Sequence, residues 1–169
     1  MFRRSRELGP ALLVPLAWTF VIAAHLGVVF PRTLFIAHVV MAALLAGFAV
    51  TGRADMREGV LHVWWRIIAV GFFMTLAGVF SFRVDAATVL LSGIALGGWM
   101  LLPAAGFVYT GQRVPEGEWI YFGGAAACLV GASLYTIGLF GAVLPLWLAG
   151  LVWVGIGQTV GILDAVLRY

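Results

Sequence analysis

The charged residues of this chain come in short islands, and the apolar runs between them are about 20 residues long, the length an α-helix needs to cross a bilayer. The islands are RRSRE at 3–7, RADMRE at 53–58, FRVD at 82–85, QRVPEGE at 112–118 and LRY at 167–169. Backbone groups in lipid must find partners within their own segment, so runs of this kind fold as helices. Strands are excluded by the length of the runs and by the lack of period-two alternation. Where a soluble domain is about 45–50% apolar, this chain is 63% hydrophobic and 10% charged, with a mean hydropathy of +1.09.

The spacing predicts an all-α integral membrane protein, a six-transmembrane-helix bundle in one polytopic domain over 1–169. The expected spans are about 10–30, 33–51, 60–82, 86–110, 119–141 and 143–163. Arg3, Arg4 and Arg6 before an apolar stretch also fit a secretory signal, but the run continues to about residue 30 with no cleavage end and is read as the first span. Arginine counting sets the orientation. With the amino terminus inside, Arg3, Arg4, Arg6, Arg53, Arg57, Arg66, Arg113 and Arg168 are cytoplasmic, and only Arg32 and Arg83 are outside. Both termini are therefore expected in the cytoplasm, in a multi-pass protein of a prokaryotic inner membrane. Trp64, Trp65, Trp119 and Tyr121 fall at the inner edge, where amphipathic rings collect.

The chain echoes itself. AGFAVTG at 46–52 and AGFVYTG at 105–111 close the second and fourth spans, while GVVF at 27–30, GVF at 78–80 and GLF at 138–140 close the first, third and fifth. This pattern predicts three helical hairpins in parallel repeat. Close helix packing is expected at GIALG (93–97), at GQTVG (157–161) and along a ridge of Gly123, Ala127 and Gly131. Such ridges suit helices of this chain, a second copy or a partner in a membrane complex equally. The lipid bilayer is the expected surrounding. Nucleic acid is not an expected partner, because the arginines are dispersed and form no stripe.

The sequence holds no GxSxG, GxxxxGK[ST], HExxH or CxxC motif, which argues against a hydrolase or a nucleotide-using enzyme. The single cysteine, Cys128, excludes an intrachain disulfide. Chemistry is expected instead at His25 and His38, each about six residues from the Pro31-Arg32 turn, or roughly 9 Å below the outer surface. Two imidazoles at one depth suit haem b or a transition-metal ion, for electron transfer or sensing. They suit proton handling as well, and each also suits a plain hydrogen bond to a neighbouring helix. A second group, His62, Arg66, Tyr109, Gln158 and Asp164, is expected near the inner face, with an Arg66–Asp164 ion pair if the third and sixth helices touch. Three readings follow: a histidine cofactor site, an accessory or structural membrane bundle without cofactor, and a small transporter lined by the inner group.

Two resemblances bear on these readings. The hairpin pattern with Pro31 and Pro145 near outer turns resembles the six-helix acid-resistance membrane protein family, which implies six helices and a stress-related role. The segment RTLFIAHVVM resembles the haem-ligand helix of haem-copper-oxidase-like subunits, which implies a ligand role for His38; the rest of that family's histidine set is absent.

Overall fold

The computed structural model describes the backbone of residues 2–168 and the side chains of residue 9 and residues 12–168. Arg3, Arg4 and Arg6 of the orientation argument lie outside the described side chains. Among the described residues the chain forms six α-helices: α1 (Phe2–His25), α2 (Pro31–Gly52), α3 (Gly59–Ser81), α4 (Thr88–Gly111), α5 (Glu118–Phe140) and α6 (Leu144–Arg168), with one 3-10 turn at Asp85–Ala87. Five helical segments, from Pro31–Gly52 to Leu144–Arg168, are long and apolar enough to cross a membrane. In α1 the apolar stretch among the described residues is the shorter Leu12–His25.

The first helix departs most from expectation, ending at His25 and not near residue 30. Gly27 is the cause. It takes a φ of +74, and the amides of Gly27 and Val28 turn back onto the carbonyls of Ala24 and Ala23 at 3.1 and 3.2 Å. That is the Schellman arrangement, which closes a helix wherever a residue without a Cβ penalty can adopt the left-handed conformation. α2 then starts at Pro31, whose missing N–H costs nothing at a first helical position.

The chain divides into two compact units, Met1–Val28 with Pro103–Tyr169, and Val29–Leu102. The division falls at Pro103, inside α4, where the pyrrolidine ring removes one backbone donor from the helix.

In the first unit α5 and α6 meet backbone to backbone. A Cβ placed on Gly131 would lie 2.6 Å from the Gly150 carbonyl oxygen, and one on Gly157 would lie 2.6 Å from the Ala127 Cβ and 2.9 Å from the Gly124 oxygen. The ridge on α5 is Gly124, Gly131 and Gly138, one residue away from the expected Gly123, which faces open space. Residues seven apart return to nearly the same helix face, about 20° off. Gly123 and Gly131, eight apart, diverge by a further residue's rotation of about 100°. GQTVG packs as expected, Gly161 closing against the Phe107 ring, whereas Gly93 and Gly97 of GIALG meet nothing. Phe107, Tyr121, Cys128, Leu151 and Val154 are fully buried around this seam.

The second unit is held by side chains seated in glycine notches. A Cβ on Gly71 of α3 would lie 2.5 Å from the Trp99 ring, and one on Gly98 of α4 would lie 2.7 Å from the Met74 sulfur. The Trp99 indole donates to the Thr75 hydroxyl at 2.9 Å, and that hydroxyl donates to the Gly71 carbonyl at 2.9 Å.

The echoed AGF-TG segments have the same local structure. Thr51 donates to the Gly47 carbonyl at 2.7 Å and Thr110 to the Gly106 carbonyl at 2.8 Å, and each following glycine, Gly52 or Gly111, ends its helix. The GVF-type echo is weaker: Gly27 lies in a turn, while Gly78 and Gly138 are helical and packed.

Candidate functional site

His25 is the last residue of α1, and His38 lies seven residues beyond Pro31, about 10 Å along α2 at 1.5 Å per residue. His25 therefore does not stand six helical residues below the Pro31-Arg32 turn, because α1 ends at His25, five residues short of the expected end. The two rings belong to different units, and each has its own surroundings.

The His25 Nδ1 lies 2.9 Å from the Val21 carbonyl oxygen. A carbonyl only accepts, so the Nδ1 carries the proton and the neutral ring presents Nε2 as an acceptor. The Tyr135 hydroxyl donates to that nitrogen at 3.0 Å. The rings of Tyr135 and Trp147 stand edge-on to the imidazole at 5.6 and 5.7 Å between centroids, so α1, α5 and α6 converge on one histidine. With both nitrogens bonded, a ligand to Nε2 would have to displace Tyr135.

His38 is held in the same tautomer by its Nδ1–H, which donates to the Leu34 carbonyl at 2.8 Å. Its Nε2 accepts no hydrogen bond among the described residues. The edge carrying Cδ2 and Nε2 lies on Gly78 of α3, where an added Cβ would come within 2.8 Å of the nitrogen. Phe82 stands edge-on to the ring at 5.7 Å and to Phe35 at 5.8 Å, and the Arg83 guanidinium covers Phe35 at 4.8 Å. A hydrogen-bonded Nδ1 is how metal-binding histidines are oriented. Here the free nitrogen lies beside Gly78 of α3.

Members of the expected inner group have the following separate partners. His62 donates through Nδ1 to the Met56 carbonyl at 3.2 Å and stacks on Trp65 at 5.9 Å and 11°. Tyr109 lies under the Arg113 guanidinium, 3.5 Å from ring centroid to Cζ. Gln158 is buried and accepts the Trp18 indole N–H at 2.9 Å, tying α6 to α1. Asp164 pairs with Arg168, Nε to Oδ1 at 2.6 Å, a basic residue four positions on along the same helix. Arg66 is exposed.

No group of three or more His, Cys, Asp or Glu gathers at metal-binding distance among the described residues. The partners that sequence reasoning missed are Trp18, Tyr135 and Trp147. Each meets its polar partner more than 100 positions away in the sequence, and no local pattern encodes that register. No family model, curated protein or solved structure matches the chain, so the two resemblances rest on their quoted residues alone.

Proposed function

We propose that this chain is a six-span membrane protein of three helical hairpins, with both termini cytoplasmic, that acts as an accessory or structural bundle. In this reading His25 is a fastener between its own helices. The observation that carries it is the complete bonding of the His25 ring, Nδ1 to the Val21 carbonyl and Nε2 to the Tyr135 hydroxyl. The seam of α5 and α6 and the buried Trp18–Gln158 pair support the same role, since each spends polar or backbone contact inside the chain. The orientation follows from the arginine bias.

A second reading keeps a single-ligand haem or metal site at His38. It is favoured by one observation, a Nδ1–H anchored on Leu34 with Nε2 uncommitted. An optical spectrum and elemental analysis of the detergent-extracted protein separate the two. The structural reading expects no Soret band and no stoichiometric metal, and it expects His25→Phe to lower stability. A Soret band or one equivalent of metal that disappears in His38→Ala establishes the second reading and removes the first.

A further inference from the structure

The segment joining α2 to α3 forms a recess of about 580 Å³ that the histidine argument does not use. Its geometry starts at Gly52, whose carbonyl takes the amides of both Asp55 and Met56 at 3.1 and 3.0 Å and so reverses the chain just past α2. Arg53 and Arg57 flank this turn, and both line the recess with His62. Gly59 adopts a φ of +59 where α3 begins, an angle that bends the chain into the new helix.

The wall is apolar. Trp65 spends its indole N–H on the Ala49 carbonyl at 2.8 Å, which pins the ring to the end of α2 and leaves its faces for contact. His62 stacks on this ring, and the Arg53 guanidinium stands 5.9 Å from it. Met56 and Val50 complete the wall. Neither guanidinium pairs with a carboxylate among the described residues. Asp55 and Glu58, adjacent in sequence, are not among the lining residues. Glu58, at the N-cap of α3, makes no side-chain cap hydrogen bond.

Two unpaired guanidiniums beside an aromatic and aliphatic wall are suited to a phosphate ester. The planar guanidinium fork matches phosphate oxygens, and the wall matches the carbon body the phosphate is attached to. We propose that this recess binds a phosphate group through Arg53 and Arg57, carried by an anionic lipid headgroup or present as the free anion. Only the lipid arm rests on the membrane reading above.

The test uses the full-length protein in detergent. Native mass spectrometry measures retention of phosphatidylglycerol against phosphatidylcholine, and phosphorus NMR titration measures binding of inorganic phosphate. Arg53→Gln with Arg57→Gln is expected to lower phosphatidylglycerol retention about twenty-five-fold, from roughly a factor of five for each arginine near an anionic headgroup. Lysine at both positions should keep most of the binding. Arg66→Gln, an exposed arginine outside the recess, should change nothing. Both positions are exposed, and circular dichroism of the variants is expected to match the parent. Loss of lipid retention in the glutamine variant identifies the headgroup as the source. Inorganic phosphate binding that is lost in the same variant, with no preference for phosphatidylglycerol, identifies the free anion and leaves the site standing. Lipid and phosphate binding unchanged in the glutamine variant, or lowered as much by Arg66→Gln, overturns the proposal.

Discussion

Ala142 holds a φ of +52, and its surroundings repeat those of Gly27. At the end of α5 the amides of Ala142 and Val143 bond to the carbonyls of Leu139 and Gly138 at 3.3 and 2.8 Å, the same six-to-one and five-to-two pattern that ends α1. One helix has a glycine at the left-handed position and the other an alanine, which carries a penalty of about 1 kcal/mol. Ala142→Gly is therefore expected to raise the unfolding free energy in mixed micelles by about 1 kcal/mol, and Gly27→Ala to lower it by a similar amount. At the same scale, a double-mutant cycle of His25→Phe and Tyr135→Phe should return a coupling of about 0.6 kcal/mol, the usual worth of a side-chain hydrogen bond between membrane helices. Zero coupling would mean that the hydroxyl does not hold the ring. The histidines themselves were legible as the outstanding polar groups of two apolar segments. The end of α1 at His25 was signalled by Gly27 ahead of Pro31, a helix-stop pattern that counting symmetrically from the turn overlooks.

Glycine does different work on different helix faces. On α5 the buried glycines recur every seven residues, at 124, 131 and 138, and α6 answers with 150 and 157. A side chain at Gly131 would be driven into the Gly150 carbonyl and the Val154 amide, neither of which can move aside. Gly131→Leu is expected to cost about 3 kcal/mol or more, since overpacking of 1–3 kcal/mol is usual even where side chains can adjust. Gly123→Leu, one residue from the ridge, should leave stability within about 0.5 kcal/mol of the parent, as outward substitutions do. Chemical unfolding of the two variants side by side gives the answer, and equal losses would show that the seam lies elsewhere. That small residues would mediate helix contact was readable from composition. Which of several glycine pairs would do so was not, because GIALG and GQTVG are equivalent as motifs and differ in whether neighbours reach them, Gly124 and Ala127 at Gly157 and the Phe107 ring at Gly161.

For the molecule as a whole, the order of the helices follows from where the charged islands interrupt the apolar runs: four of the expected spans match observed helices to within two residues at each end, and the sixth helix runs on to Arg168, past the expected 163. The grouping of helices into two units was hidden, since it depends on which faces meet and not on where helices begin. Many apolar side chains on these helices are exposed, among them Phe73 at 67%, Val89 at 87% and Phe140 at 87%, a surface suited to lipid. The central claim is that these helices cross a bilayer six times, with the phosphate recess on the cytoplasmic side. Single cysteines placed in a Cys128→Ala background test it, probed on intact cells with a membrane-impermeant maleimide. Leu26→Cys and Ala86→Cys should label from outside, while Ala54→Cys and Gln112→Cys should label only after permeabilisation. Labelling of positions 54 and 86 from the same side would contradict the account.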